Sequence, residues 1–428
     1  PRDRGVPHEV AILFSTPTEH LGQAEGGHAS YKLFDQAVMS LEFSHLLSDV
    51  IFEEQITNSL ARLGQYKVLV APGTDATYAG TCKRVNQWVE KGGVLVLLGE
   101  SMHLNEYGGK NPEAFTGIEQ GKLKESEQAT IDVLGVKVQG SCYSDTTLDA
   151  SWEVLGRIGD QVVVARKKFG RGTVWYLNGK FSGGGIGDLV KLAAKDAGVK
   201  PSAETLDACA DGGSTFLRSI ELDAASRAGM DAYMLTARTL RDVVTRFKPR
   251  RPMLKMVRVW NDPTQAYRQE IMPDKEGYYT LELPAGDPVM IVGGTKAQID
   301  ARYPQGPKVV WMAPLTSEAA LAQARQRMAE KEAERLASKP AFNVDPNRTT
   351  CLDIRKFANR RFTEQGGGMS LAGTPWGVEL CSGIPMDFIR YDQNESKDVI
   401  VLASSSPKDE TRPAPEKIEG IRVDQKAS

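Results

Sequence analysis

The chain has 428 residues, room for two to four domains at the usual ~100–200 residues each. Hydrophobic residues make up 41 % and charged residues 25 %, the balance of an ordinary globular protein. Lys plus Arg (53) nearly cancel Asp plus Glu (55), for a net charge of -2, which removes the electrostatic footprint of a nucleic-acid binder. No apolar run reaches the ~18–20 residues of a membrane-spanning helix, so the chain reads as soluble, with neither nucleic acid nor membrane expected as a partner. Five cysteines (Cys82, Cys142, Cys209, Cys351, Cys381) are odd in number and far apart. They make neither a disulfide framework nor a CxxC site, and one pair bonded across space stays open.

The chain starts Pro1-Arg2-Asp3-Arg4, without a methionine or a leader pattern. It stops at Ser428, after a polar stretch and a short Ile421/Val423 alternation. The expectation is a piece of a longer polypeptide, trimmed at both ends. Compartment is left open, with periplasmic and secreted locations among the options.

Glu9-Val10-Ala11-Ile12-Leu13-Phe14-Ser15 is an apolar run of strand length, as a parallel strand covered on both faces requires. Leu33, Phe34, Ala37, Leu41 and His45 share one helical face. Val50-Ile51-Phe52 is a second strand, and Ile56, Leu60 and Leu63 a short helix capped by Gly64. Tyr66 to Pro72 gives strand three. Val85, Trp88 and Val89 mark a helix ended by Gly92-Gly93, before strand four, Val94-Leu95-Val96-Leu97-Leu98. A polar excursion, 100–128, precedes a hairpin that joins Val162-Val163-Val164-Ala165 to Gly172-Thr173-Val174-Trp175-Tyr176-Leu177. A helix over 188–197 closes at Gly198.

After Pro201 the texture changes to short alternating runs, among them 215–220, 232–235, 256–260, 278–283 and 289–292. They are separated by turn chemistry such as Asp211-Gly212-Gly213 and Asn261-Asp262-Pro263, the spacing of a small antiparallel sandwich. A charged helix with Ser317 as N-cap and mostly alanines as apolar positions follows, a solvated connector or strut. Cys351-Leu352-Asp353-Ile354 and Asp398-Val399-Ile400-Val401-Leu402 are strand-like, too few to bury a core.

A nucleophile in such a unit belongs on the turn after strand four. That turn reads Leu98-Gly99-Glu100-Ser101-Met102, without cysteine; Cys82 lies at the start of the preceding helix. Ser101, with His103 nearby, and Glu100 are the catalytic candidates, against an ordinary polar loop. The histidines (His8, His20, His28, His45, His103) show no metal-ligand spacing, and His45 reads as a core residue on its helix face. Gly183-Gly184-Gly185-Ile186-Gly187 fits neither the dinucleotide fingerprint nor the P-loop and reads as a flexible loop. No metal and no cofactor is expected. Glycoside hydrolysis needs two carboxylates at fixed separation; Glu19, Glu53, Glu54 and Glu100 lie near strand ends, but spacing pairs none of them, and they read as solvated surface. Trp376 and Trp260 are candidates for stacking on sugar, against core positions. The sequons at Asn347 and Asn394 are too common to set the compartment.

Glu9 to Ser15, then Gln65-Tyr66-Lys67-Val68-Leu69-Val70-Ala71-Pro72, then Val85-Asn86-Gln87-Trp88-Val89-Glu90-Lys91-Gly92-Gly93-Val94-Leu95-Val96 resemble the trimerisation domain of family 42 β-galactosidases. The resemblance implies a glutamine-amidotransferase-like α/β fold that has lost its amidotransferase site, in agreement with the absent cysteine at Gly99-Glu100-Ser101. It also implies a homo-oligomer. Leu352-Asp353-Ile354, Phe357-Ala358-Asn359-Arg360-Arg361-Phe362 and Gly383-Ile384-Pro385-Met386-Asp387-Phe388 resemble the opening of β-sandwich modules appended to carbohydrate-active enzymes. The family's catalytic glutamates lie on a barrel that nothing before Glu9 provides, so no catalytic residue is carried over.

The expected fold is thus a flavodoxin-like or glutamine-amidotransferase-like parallel α/β sheet followed by all-β sandwich domains. Its divisions are 1–200 (α/β), 201–298 (small sandwich), 299–348 (linker with charged helix 317–338) and 349–428 (incomplete sandwich module). The expected function is the non-catalytic C-terminal portion of a β-galactosidase-like glycoside hydrolase, serving assembly and the shaping of a carbohydrate cleft, or carbohydrate binding. The rivals are a stand-alone hydrolase using Ser101 or Glu100, and a sugar-binding scaffold without turnover. Loops 15–27 and 100–121, flanking strands one and four, are expected to form the main concave surface.

Overall fold

The computed structural model describes residues 8–338 apart from 25–28, 59–62, 124–126, 183, 208–219, 228, 238–241, 262, 285–286 and 305, together with 378–381 and 384–387. The chain divides into two compact units, Pro1–Arg327 and Met328–Ser428. In the first unit the chain runs through β1 (Val10–Phe14), α1 (Thr16–Ala24), α2 (Ala29–Phe43), β2 (Ser48–Phe52), α3 (Glu53–Asn58), β3 (Val68–Pro72), α4 (Ala79–Glu90) and β4 (Val94–Leu98). Then come β5 (Ile118–Leu123), β6 (Ala129–Val133), β7 (Val136–Cys142), β8 (Ser144–Leu148), β9 (Glu153–Ile158), β10 (Gln161–Phe169), β11 (Gly172–Leu177), β12 (Gly179–Phe181) and α5 (Gly185–Asp196).

The main sheet has the order β2-β1-β3-β4-β11-β10-β9. From β2 to β11 every pairing is parallel, and β10 and β9 add antiparallel neighbours, so the sheet is mixed rather than purely parallel. β3 and β4 are buried along their whole length. Their alternate residues go to opposite faces: Val68, Val70 and Val96 into one core with α2 and α5, Leu69, Leu95 and Leu97 into another with α3 and α4. Two-sided burial is why these strands are unbroken apolar runs.

Helix α5 lies against α2 at a distance that only glycine permits. A Cβ on Gly187 would stand 2.1 Å from Ser44 Oγ and 2.3 Å from Ser40 O, and Gly187 N–H donates to Ser40 Oγ (2.8 Å). Gly184, at φ 82, is the helix N-cap. The described part of the glycine run, expected as a flexible loop, is therefore a packed helix start. The excursion after β4 holds strands as well: β5 pairs with β8, and β6, β7 and β12 form a small sheet. Ile131, Val133 and Val138 point inward from β6 and β7. Leu134 and Gly135, both at positive φ, make the tight turn between them.

The chain continues with β13 (Ala203–Asp207), β14 (Ile220–Arg227), β15 (Met230–Ala237), β16 (Val243–Pro249), β17 (Lys255–Asn261), β18 (Ala266–Met272), β19 (Tyr279–Leu283), β20 (Pro288–Gly294), α6 (Lys296–Arg302), β21 (Val309–Thr316) and α7 (Ser317–Ser338). One sheet has the order β13-β16-β19 and another β14-β15-β20-β17-β18-β21. Phe247, Leu281 and Leu283 from the first share a core with Tyr233, Leu235 and Ile291 from the second. β18 and β21 are parallel; β21 lies in the stretch expected to be a linker. At the start of α7 the capping acceptor is Thr316, whose Oγ1 takes Ala319 N–H, not Ser317. Ser317 Oγ instead faces the Met272 and Tyr278 carbonyls and accepts from Thr280 N–H. Ala320 and Ala324 are buried and Arg327 pairs with Glu282, so the start of this helix packs rather than stands in solvent. In the second unit β22 (Val378–Cys381) and β23 (Ile384–Asp387) pair antiparallel. The strand-like runs expected at 351–354 and 398–402 lie outside the described residues.

His45 was expected on the helix face. It sits two residues past α2, at φ 56, because it ties the α/β part to β13. Its Nε2 lies 2.7 Å from Thr205 Oγ1, and its carbonyl accepts from Ser202 N–H (2.9 Å). Burial, helped by Lys191, lowers its pKa to about 4, so the folded chain holds the ring neutral.

Two outcomes follow for stability. Gly187→Ala is expected to lower the urea midpoint by the equivalent of about 1–3 kcal/mol, the cost of overpacking. For His45, whose folded pKa lies below the solution value, stability is fully present above pH 6.5 and is lost as pH falls toward 4. The loss reaches about 3 kcal/mol for a shift of this size. His45→Gln should remove that slope when the unfolding curves of variant and parent are compared at pH 7 and 4.5.

Candidate functional site

Strand order reverses between β1 and β3, and in open α/β sheets ligands sit outside the carboxyl ends at such a switch point. Here the place is filled. Ser15 Oγ (2.5 Å) and Thr18 Oγ1 (2.7 Å) both donate to the Ala76 carbonyl, and Ala76 N–H returns a bond to Thr18 Oγ1 (3.0 Å). Ser15 Oγ also accepts from Thr18 N–H and so caps α1. The expected loop 15–27 is therefore, through Ala24, a helix bonded over the crevice. Phe14 contacts Phe34 and Phe52 beside it. A void of about 20 Å³ is left, room for one water, lined by the buried and unpartnered Thr74 Oγ1.

The turn after β4 carries the catalytic candidates. Ser101 is buried, and its Oγ lies 2.7 Å from Ala71 O and 2.9 Å from Leu98 O. A nucleophilic hydroxyl needs a base to take its proton; this proton is shared between two carbonyls. No hydrogen bond to Ser101 from a histidine or carboxylate occurs among the described residues. Two positions of this turn are left-handed, Gly99 (φ 66) and Met102 (φ 61); Met102 is buried, with its N–H on Thr74 O (2.7 Å). Glu100 is half-buried, which raises its pKa. Burial lowers that of His103, whose Nδ1 has no partner. Cys82 is buried; burial, with Glu113 and Glu53 nearby, pushes its thiol up to about 12, and Sγ donates to Glu113 O. It is an inert thiol.

The four acids separate. Glu54 is exposed, and Glu19 lines the small void. Glu53, expected as solvated surface, is fully buried at the start of α3. Its Oε2 accepts from Tyr78 N–H (2.9 Å) and its Oε1 has no partner. Burial, opposed by Ser15, the Tyr78 amide and Thr81, raises its pKa to about 7. Nothing in its local pattern, Phe52-Glu53-Glu54, tells which of two adjacent acids turns inward.

Open space lies on the other side of β4. A cleft of about 990 Å³ is walled by Leu97, by Ser101, His103 and Leu104, by residues 110–112 and 114–119, and by Thr147, Leu148 and Asp149. Its long wall, expected as a loop, is held firmly. Buried Asn111 donates to Thr77 Oγ1 (3.2 Å) and accepts from Glu113 N–H (3.0 Å). Glu113 O takes Cys82 Sγ (2.9 Å) and Asn86 Nδ2 (2.8 Å) from α4. Leu104 bridges to Ala76, the residue that also holds α1; of the two loops expected to form the main concave surface, 100–121 lines this cleft and 15–27 does not.

Among the other candidates, His8 Nδ1 bonds Asp49 (2.8 Å) and His20 is exposed. Trp260 stacks on Tyr267 beneath Arg258. His28, Trp376, Asn347 and Asn394 lie outside the described residues. No cluster of metal-ligating side chains occurs among the described residues. No helix among them is long and apolar enough to cross a membrane.

Residues 8–200 match the family model of the beta-galactosidase trimerisation domain. Among solved structures, beta-galactosidase from Bacillus circulans sp. alkalophilus is similar at 18% identity and a TM-score of 0.51, over 68% of this chain and 42% of that one. Gan42B, a GH42 beta-galactosidase whose catalytic mutant is named as coming from G. stearothermophilus, is similar at 15% and 0.50, over 68% and 40%. The beta-galactosidase from Rahnella sp. R3 is similar at 14% and 0.50, over 67% and 41%. No curated protein matches. The chain thus spans about two fifths of the length of the solved proteins that it resembles. A mixed α/β sheet followed by further β-sheets is the fold they share with it.

For Glu53, whose folded pKa of about 7 exceeds the ordinary carboxylate value of 4.5, the contribution to stability is full below pH 4.5 and is lost as pH rises through 7. The loss reaches about 3 kcal/mol for a shift of this size. Glu53→Gln keeps an acceptor for Tyr78 N–H and cannot ionise. It should therefore exceed the parent in urea unfolding at pH 8 and match it at pH 4.5.

Proposed function

We propose that this chain is the non-catalytic portion of a β-galactosidase-like glycoside hydrolase, in which residues 1–200 serve assembly and border a carbohydrate cleft. One observation carries the reading: the segment that matches the trimerisation domain spends the Ser101 hydroxyl on two main-chain carbonyls. A glutamine-amidotransferase-like sheet, with its crevice filled and its nucleophile position occupied by a structural serine, suits a domain kept for its surfaces. Small sandwich units over 201–298 and 349–428 complete the proposed organisation, with 299–348 between them.

The sheet edge gives assembly a physical basis. β2 ends the strand order, and its Val50 (44 % exposed) and Phe52 (45 %) stand on one side of it. An unpaired edge with exposed apolar side chains invites a neighbour, and a second copy is the occupant that the family match supports.

Light scattering on the full chain should give a multiple of the monomer mass, with Val50→Glu lowering it while the circular dichroism spectrum stays unchanged. A panel of esters, amides and glycosides should show no turnover. A monomeric parent would remove the assembly role, and turnover abolished by Ser101→Ala or Glu100→Gln would establish the stand-alone hydrolase instead.

A further inference from the structure

Arg268 on β18 is a buried cation that the described protein does not neutralise. Only 9 % of it is exposed, and a guanidinium so far from water is ordinarily paired with an acid. Its Nη1 meets neutral acceptors alone, the carbonyls of Tyr267 (2.6 Å) and Trp260 (3.1 Å) and Asn261 Oδ1 (3.4 Å). Nε is sealed from solvent without a partner. Nη2 has no partner among the described residues either, but it is not sealed, so its two N–H groups are the ones a ligand can reach. The fold sets a second cation beside it. In the sheet Arg268 stands between Val259 and Trp311, on the face that Ile299 of α6 covers. Tyr303, directly after α6, lays its ring against the Arg268 guanidinium, with Cζ 4.7 Å from the ring centroid. Cζ of Arg302, exposed and without an ion pair among the described residues, lies 6.0 Å from the same centroid. The surroundings supply no spare acid. α6, β18, β21 and the connection 303–308 hold two, Glu270 and Asp300, and lysines take both. Lys255 reaches Glu270 (3.1 Å) and Asp300 (3.8 Å), and Lys296 reaches Asp300 (2.5 Å). Lys308, at the end of the connection, adds a further exposed cation.

We infer that Arg268 and Arg302, gathered at the Tyr303 ring, bind the oxyanion group of a small molecule, a phosphate or a carboxylate. Arg268 Nη2 is the fixed donor, because burial and the stacked Tyr303 ring hold its plane; exposed Arg302 supplies the second. Bonds from a guanidinium to an oxyanion are roughly twice as strong as neutral ones, and the anion removes the repulsion between the two cations. A neutral ligand would leave both charges unmatched. The site lies beyond residues 8–200, the segment that matches the family model, and it does not rest on the function proposed above.

The test is calorimetry on the full chain with inorganic phosphate and, separately, with acetate, at an ionic strength held constant with sodium chloride. Saturable binding of at least one anion is expected. Saturation by phosphate alone assigns a phosphorylated ligand, and saturation by acetate alone a carboxylate. Arg302→Gln, at an exposed position, should weaken binding about tenfold, the scale of a lost hydrogen bond to a charged group. Arg268→Gln should abolish it; should that variant fail to fold, Arg302→Glu, which brings a carboxylate to the site, replaces it with the same expected loss. Lys83→Gln, which removes an exposed cation on α4, should leave the affinity unchanged. No saturable binding of either anion, equal affinity in Arg302→Gln and the parent, or an equal loss in Lys83→Gln would overturn the inference.

Discussion

The carboxyl edge of a parallel sheet leaves a row of main-chain carbonyls that must find donors, and that requirement organises one side of this molecule. Ala71 O and Leu98 O draw in Ser101, Leu98 O also takes Gly73 N–H, and Ala76 O holds both Ser15 and Thr18. Each hydroxyl that a nucleophilic reading would recruit is already meeting a backbone need. The same bonds fix α1 over the switch point and start the wall of the cleft at Leu104. Filling of the crevice, engagement of Ser101 and the position of the open cleft therefore have a common origin.

The sequence displayed these features unequally. β1, β3 and β4 were plain as unbroken apolar runs, because burial on both faces forbids polar interruptions. The end of α4 was plain from Gly92-Gly93. The strands between Ile118 and Ile158 were not. They are only five to seven residues long, and β6, β7 and β8 bury one face while polar residues occupy much of the other. Their tight turn uses Leu134-Gly135, not the Asn-Gly that would have announced it. Helix α1 was hidden because its stabilisation is tertiary: Ser15 and Thr18 hold it through Ala76, some sixty positions along the chain. Asn178 is a parallel case. It is fully buried, and its side chain joins Ser144, Val162 and Cys142, beside the register shift between β9 and β10. A lone Asn after a strand carries no mark of that duty.

In the β-rich part the alternating runs were found where both sides of the pattern are strong, as in Met256 to Trp260. β13, β16 and β18 were overlooked because charged or polar residues occupy much of each, and β21 because Pro314 interrupts its apolar run. Arg246, for example, is drawn out of β16 by Asp274 and Glu276, while Phe247 next to it enters the core. The charged helix α7 shows the same limit in reverse. Its alanines suggested a weak apolar stripe, yet Ala320 and Ala324 are the positions where a small side chain lets the helix approach the sheets. Ser317 then joins it to the Met272 and Tyr278 carbonyls and to Thr280 N–H.

Two buried ionisable groups complete the account by acting in opposite directions. His45 at the junction with β13 stays neutral, at a cost that grows as the medium acidifies. Glu53 beneath Tyr78 carries a cost that grows as the medium becomes alkaline. Between the two limits their slopes oppose one another and nearly cancel, so the pair together leaves stability almost flat with pH. Neither group opens onto the cleft. A change of pH acts on the junction and on the packing of α3, and in the cleft on His103, whose pKa burial lowers in the same sense as that of His45.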